Sequence, residues 1–338
     1  MQKKAFVTGV TGQDGAWLSK YLIDLGYEVY GGVRRSSSRN LSNLEYLGIK
    51  DKLKLVEFDL LEYSNIYETV KELKPDEFYN LAAQSFVGTS FKQPISTNLV
   101  DGMSVAYILD ILHTISPETR FYQASTSEMF GKVQQIPQTE STPFYPRSPY
   151  GCAKLYAHWL TINYRESYNM FATCGILFNH ESELRGPEFV TRKITMNVAR
   201  RSIGEKEILE LGNLDSERDW GYAKEYVEGM YKILHHDKPE TYVLATGVTT
   251  KIRTFVEMAF KVIGKEIRWE GKEDKEIGYD LKTNEVLVRV NPKFYRPSEV
   301  DLLIGSAKKA KDELGWEAKV NIEKLAEIMV GHDIDLLK

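Results

Sequence analysis

Cysteine is scarce in this 338-residue chain, which has only Cys152 and Cys174. Two thiols cannot make a disulfide framework, so a reducing compartment is the simpler expectation. The sequence shows no apolar run of about 20 residues, the length that spans a bilayer. The opening MQKK leads straight into a strand pattern rather than an apolar leader. Lysine and arginine total 44 against 48 aspartates and glutamates, a formal net charge of −4. That balance provides neither the basic excess of a nucleic-acid binder nor an acidic tail. Internal repeats, low-complexity tracts and long linkers are absent, and no metal-ligand set is apparent. These absences leave a cytoplasmic globular protein that needs neither membrane nor nucleic acid. Its length calls for one large domain or two closely packed ones.

Chemistry is concentrated in one place. FYQASTSEMFG (121–131) and SPYGCAK (148–154) bring a carboxylate, hydroxyls, a phenol and an amine into a short stretch. The residues before Ser125 are apolar enough to be a buried strand, and the polar Ser125-Thr126-Ser127-Glu128 falls where that strand would end. In open α/β sheets, ligands bind at strand ends. Ser148 followed by Pro149 reads as the N-cap and first turn of a helix running to about Ser167. Tyr150 and Lys154, four residues apart, then share a face of it.

Upstream, KAFVT (4–8) reads as a strand. Gly9-Val-Thr11-Gly12-Gln13-Asp14-Gly15 follows it and opens a helix that ends near Gly26. Such glycines let a backbone turn tightly and approach a pyrophosphate, which sits on amides at the helix N-terminus. The G-x-x-G-x-x-G spacing is one residue longer than the commoner dinucleotide fingerprint, so its flanking strand and helix carry the inference. A second strand (28–33) ends in Arg34-Arg35-Ser36-Ser37-Ser38-Arg39. An NAD site usually puts an acid there for the ribose hydroxyl, whereas arginines and serines suit a 2′-phosphate, so NADP is expected. In isolation this stretch would be read as a solvated basic loop, but its position after the second strand argues otherwise.

Further strands are expected at 53–59, 77–85, 172–179 and 242–247, with helices near 64–74 and 97–114. This alternation defines an α/β fold with a Rossmann-type doubly wound parallel sheet. A second, smaller, mostly helical domain is expected to bind substrate, containing helices at 191–203, 306–314 and 321–332. The expected division is 1–179 with 219–250 for the cofactor, and 180–218 with 251–338 for the substrate.

A phenol is a poor base at its ordinary pKa of about 10. The Lys154 ammonium and a positive nicotinamide are expected to move Tyr150 toward neutrality, making it the base that takes a sugar hydroxyl proton while Thr126 bonds that oxygen. Tyr-x-x-x-Lys often arises by chance on amphipathic helices, so it counts only together with the glycine turn and Thr126. Glu128 distinguishes the reaction. Oxidation to a ketone needs no carboxylate, but removal of the neighbouring acidified C–H and expulsion of water do. With Ser127 where a second acid could have stood, one carboxylate would serve both proton transfers. The plainer alternative is a solvated loop glutamate.

GVTGQDG, VRRSSS, NLAAQS, YQASTSEMFG, PFYPRSPYGCAK, LFNHES, RGPEFVTRKIT, LGNLDSERDWG and FYRPSEVD occur in that order. On these motifs the chain resembles the extended short-chain dehydrogenase/reductases, and closely the GDP-mannose 4,6-dehydratase family, along essentially its whole length. The resemblance implies an NADP-dependent lyase that converts GDP-mannose to GDP-4-dehydro-6-deoxy-D-mannose as a homotetramer or homodimer. It places Gly9, Gly12 and Gly15 on the pyrophosphate, with Thr11, Gln13 and Asp14 in the same turn. Arg34, Arg35 and Ser36 fall at the 2′-phosphate, and Asp59 and Leu60 by the adenine. Leu81, Ala83 and Ser85 lie toward the nicotinamide, and His180 and Arg185 complete the cofactor site. Ser85, Ser127, Asn179, Glu188, Lys193, Arg218, Arg296 and Glu299 are the nucleotide-sugar candidates. It also implies that the Arg35–Arg39 loop reaches a neighbouring subunit. Two departures from the family stand out: Cys152 replaces an alanine and is expected to face packing, and Glu183-Leu184-Arg185 replaces Pro-Arg-Arg. The alternatives are a related epimerase or reductase, which has no use for Glu128, and a non-catalytic NADP-binding regulator.

Overall fold

The computed structural model describes residues 2–295 and 302–338. In chain order the strands are β1 (Lys4–Thr8), β2 (Glu28–Val33), β3 (Lys54–Glu57), β4 (Glu77–Asn80), β5 (Arg120–Thr126), β6 (Ala172–Leu177), β7 (Asn179–Glu181), β8 (Leu209–Leu211), β9 (Glu217–Tyr222) and β10 (Thr241–Leu244). They continue with β11 (Thr249–Lys251), β12 (Ile267–Glu270), β13 (Ile277–Asp280), β14 (Val286–Val290) and β15 (Leu302–Leu303). Seven of them form one sheet in the order β10-β6-β5-β4-β1-β2-β3, with every pairing parallel. The order reverses between β1 and β4, which opens a crevice at the carboxyl ends of the strands.

Strand alternation sends aromatic rows to opposite faces of this sheet. Phe6, Phe78 and Phe121 are in register on one face, with Phe6 and Phe78 stacked at 5.0 Å. Tyr79 and Tyr122 are in register on the other, at 5.9 Å. Each row lies in its own hydrophobic cluster under helices. On one side the Gln13–Asp24 and Ala223–His235 helices pack together, and on the other Tyr63–Leu73 packs against Ser104–Ile115.

Beyond this body, the Val190–Ser202, Ile252–Val262 and Ile322–Asp335 helices enclose a separate core that includes Val198, Phe255, Phe260 and Met329. Two further four-stranded sheets belong here: β12-β13-β14-β8, and β11-β9-β15 with β7 on β9. The region is therefore less helical than expected, with strands of two to six residues. Ala310 and Trp316, late in the chain, return to the cluster beneath the large sheet.

Two expectations need correction. Pro94–Ile115 is long and apolar enough to span a membrane, although no such run was expected. Half of that window is buried, and the run packs along the Pro149–Tyr168 helix, as a core element does. Cys152 is exposed rather than packed, lying beside Pro146, Tyr156 and Trp159 on the outer face of that helix.

Candidate active site

The crevice is a cavity of about 1040 Å³. That is at or above the upper end of single-ligand pockets, so there is room for both a dinucleotide and a second large ligand. Its floor is the glycine turn after β1. Gly9 has φ +69, and a Cβ there would stand 2.9 Å from the Ala82 Cα. A Cβ on Gly15 would fall 2.2 Å from the Gly9 carbonyl oxygen, so this glycine is required for helix and turn to touch. Gly12 differs. Its φ is −76, and an added Cβ would meet only the Gly9 oxygen, at 3.3 Å, so the fold itself makes little demand for glycine there. The side chain it lacks would fill the cradle at the start of the Gln13–Asp24 helix. That helix has no side-chain N-cap, which leaves its first amides to an anion.

Within the turn, Asp14 Oδ2 accepts from His180 Nε2 at 2.8 Å while His180 Nδ1 donates to the Phe178 carbonyl at 2.7 Å. Burial works against both charges. The pairing outweighs it, holding the Asp14 carboxyl below and the His180 imidazole above their usual ranges. Gln13 donates to the Asp14 carboxylate and to the His180 carbonyl, and accepts from Ser182. Asp14 thus anchors β7 and leaves the helix amides unneutralised.

Arg34 and Ser36 border the cavity at the end of β2, together with Arg39, Asn40 and Asn43. Asn43 donates to the Thr11 carbonyl at 3.0 Å, closing the turn onto this loop. Arg35 is not among the lining residues. Neither Arg34 nor Arg39 forms an ion pair among the described residues, and both are exposed. A polyanion fits this rim, and no acid stands there to receive a ribose hydroxyl. Asp59, Leu60, Leu81, Ala83 and Ser85 line the walls after β3 and β4.

The wall after β5 carries the reactive groups. Thr126 caps the short 3-10 turn Ser127–Met129 by accepting from the Glu128 amide at 3.2 Å. Thr126, Ser127 and Glu128 are buried, yet all three line the cavity. Ser148 caps the Pro149–Tyr168 helix, accepting from Gly151 N–H at 3.0 Å. Gly151 lets the helix start close by, since a Cβ there would stand 2.9 Å from the Glu128 carbonyl oxygen. Glu128 and Tyr150 are thereby fixed around one corner, with the Thr126 hydroxyl near enough to the phenol to favour its ionised form. Behind them Ser125 bonds His158 Nδ1 at 2.9 Å, and burial lowers that imidazole to about 4, keeping it neutral.

The expected shift of Tyr150 toward neutrality is not found in the protein alone. Burial, then the charges of Asp101 and Glu128, push the phenol upward and outweigh Thr126 and Arg185. Burial lowers Lys154, with Asp101 opposing it. Asp101 is the charged neighbour that sequence reading missed. It lies inside an apolar helical run, where only its rarity as a buried acid could have signalled it.

The opposite wall comes from 179–218. Asn179, His180, Arg185, Glu188, Lys193 and Arg218 all reach the cavity. Arg185 pairs with Glu181 at 3.0 Å and lies over the Phe189 ring at 3.6 Å, while Thr191 donates to the same Glu181. The Lys193 ammonium lies 3.7 Å from the Phe294 ring centroid and donates to the Glu210 carbonyl; burial lowers its pKa. Glu181, Phe189 and Phe294 also escaped sequence reading, because aromatic shelves for cations leave no local pattern. Arg296 and Glu299 lie outside the described residues.

Solved structures share this fold throughout. UDP-glucose 4-epimerase from Thermotoga maritima superposes with TM-score 0.83 at 21% identity, covering 99% of this chain and 100% of that one. dTDP-glucose 4,6-dehydratase from Bacillus anthracis, solved with NAD, gives 0.80 at 19% identity, covering 98% and 96%. RMD from Pseudomonas aeruginosa, solved with NADPH, gives 0.76 at 21%, covering 99% and 100%. The class these structures define is that of a Rossmann-like fold. At the level of sequence, residues 6–329 match the family model described as GDP-mannose 4,6 dehydratase. The human GDP-mannose 4,6 dehydratase is 50% identical over 342 residues, 99% of this chain and 92% of that protein. That of Sinorhizobium fredii is 49% identical over 344 residues, 100% and 98%. The chain belongs to the GDP-mannose 4,6-dehydratase family, and with it to the enzymes that eliminate water.

Proposed function

We propose that the protein converts GDP-mannose to GDP-4-dehydro-6-deoxy-D-mannose with NADP and without net consumption of it. The observation that carries this reading is Glu128, a cavity-wall carboxylate fixed beside Thr126 and Tyr150. When bound, NADP supplies the reversible two-electron store that oxidation at C4 and reduction at C6 require. Gly12, the uncapped helix amides, Arg34, Ser36 and Arg39 would hold its phosphates, with His180 and Arg185 completing the site.

Tyr150 takes the proton of the 4-hydroxyl while Thr126 bonds that oxygen. Once C4 is a carbonyl, the C5 proton is acidic. Glu128 removes it and delivers it to the C6 oxygen, which leaves as water. Of the two protons taken, one departs with water and the other returns to C5, so the chain ends as it began. Asn179, Glu188, Lys193 and Arg218 would hold the nucleotide-sugar, the cations meeting its diphosphate. In this reading residues 1–179 and 219–250 serve the cofactor, and 180–218 and 251–338 the nucleotide-sugar. Both thiols are free, as suits a cytoplasmic enzyme.

The test is incubation with GDP-mannose and catalytic NADP, followed by mass spectrometry. A product lighter by one water is expected, and a requirement for stoichiometric NADPH would sink the reading. Assay across GDP-, UDP- and dTDP-sugars checks the base.

A further inference from the structure

The mechanism leaves one buried acid beside the reacting groups without a task. Asp101 lies in the five-residue π-turn Leu99–Met103, which interrupts the apolar run Pro94–Ile115. Such turns are rare and often mark functional positions. This one is pressed onto the helix that carries Tyr150 and Lys154. A Cβ on Gly102 would stand 3.3 Å from the Tyr156 ring and 3.4 Å from the carbonyl of Ala153, the residue before Lys154. Asp101 is 2% exposed. Its Oδ1 accepts from the Gln84 amide at 2.7 Å, within the loop that lines the cavity after β4. Its Oδ2 is sealed from solvent and has no hydrogen-bond partner among the described residues.

An anchor for Gln84 needs only a carbonyl oxygen, which asparagine would supply without the cost of burying a charge. The charge therefore needs its own account. Lys154, itself 4% exposed, is the cation whose field reaches Asp101, and no direct ion pair joins them. We propose that Asp101 is the buried counter-charge of the Tyr150–Lys154 couple, a positioning residue that sets the pH range over which the couple works. This assignment rests on the reading of Tyr150 as the base.

The groups around the couple fix the signs. Asp101 is faced by Lys154 and by the Gln84 amide; burial lifts its carboxyl to about 6, with both neighbours opposing. Lys154 is faced by Asp101, which supports its ammonium against burial, and by Cys174, whose thiol burial raises to about 11 and keeps neutral. Tyr150 is faced by Asp101 and Glu128, which oppose phenolate, and by Thr126 and Arg185, which favour it. Removing the Asp101 charge therefore lets both Tyr150 and Lys154 lose their protons at lower pH.

The test compares Asp101→Asn, which keeps the Gln84 anchor, with the unaltered enzyme in kcat/KM against pH. Both limbs of the profile are expected to move to lower pH by about one unit. A lower kcat with unmoved limbs would reduce Asp101 to an anchor and overturn the proposal. A second measurement, free of turnover and of folding of that variant, is carboxyl carbon NMR of the cofactor-free protein. One aspartate should titrate near 6 and move upward in Lys154→Met; an Asp101 signal indifferent to Lys154→Met would also overturn it. If the NMR coupling is present but GDP-mannose is not turned over, the functional reading fails while the counter-charge stands.

Discussion

The two walls of the cavity are built in different ways. The wall on the seven-stranded sheet draws its groups from strand ends and the turns that follow them, so each position is dictated by backbone geometry. The wall from 179–218 draws on β7, β9 and the Val190–Ser202 helix, whose cations rest on Glu181, Phe189, Glu210 and Phe294. The first is a scaffold in which chemistry follows from topology, whereas the second is an assembly of side chains brought together over distance. Substitutions on the first wall should therefore strike the reaction or the cofactor, and those at Lys193 and Arg218 on the second the affinity for the nucleotide-sugar.

The largest expected effects lie on the sheet wall. Glu128→Gln should lower turnover by about 10²–10⁴-fold, the usual range for a positioned acid or base. It should still permit partial reduction of bound cofactor, visible in the near-ultraviolet, while releasing no water. Tyr150→Phe should suppress both signals. If Glu128→Gln dehydrates at the normal rate, the carboxylate is a loop residue and the contrast between walls loses its centre.

The glycine turn gives the next test, because two of its glycines answer to different causes. Gly15→Ala drives a methyl group into the Gly9 carbonyl and the Val10 backbone, and overpacking of this kind costs about 1–3 kcal/mol or more. Denaturant unfolding of the cofactor-free protein should record that loss. Gly12→Ala meets no comparable clash, so stability should change by less than about 1 kcal/mol while NADP affinity falls about tenfold or more. Equal stability losses in the two variants would show that Gly12 serves the fold and not the ligand.

This distinction explains what could be read from the sequence. Strand, glycine turn and helix follow from local pattern, and so do the Ser148 cap and the polar end of the strand at Ser125–Glu128, because each involves neighbours in the chain. Asp101 acts on Lys154 across 53 positions of chain, and Lys193 finds its shelf on Phe294. Nothing in local periodicity encodes such meetings. Tyr150 exposes the limit most directly: its helix is legible from spacing, but its proton affinity is set by burial and a distant carboxylate. Cys152 and the shortest strands of the second region fail for related reasons, the first because neighbouring helix positions differ in exposure, the second because β7, β8, β11 and β15 have three residues or fewer and carry no period.

On the opposite wall, Lys193→Met should raise KM for GDP-mannose about tenfold, equivalent to about 1.4 kcal/mol, while NADP affinity stays unchanged. A loss of NADP binding instead would merge the two walls into one site. The comparison between them would then describe folding history and not division of labour.

The smallest effect concerns the seam where the walls meet, the Asp14–His180 contact. His180 is raised in the folded protein, so its contribution is complete below the unfolded pKa of about 6.5 and is lost as pH rises through the folded value. Asp14 is lowered, so its contribution is present above about 3.9 and is lost as pH falls through the folded value. The charged pair therefore stabilises most between these limits, near pH 5. Asp14→Asn keeps a hydrogen-bond acceptor but removes the charge, and should cost on the order of 1 kcal/mol at pH 5 and less at a pH above the raised value of His180, where the imidazole is neutral. Unfolding midpoints at the two pH values provide the check. A deficit that is equal at both would mean that the neutral hydrogen bonds through Gln13 and Ser182 hold β7 to the glycine turn, with the charges adding nothing.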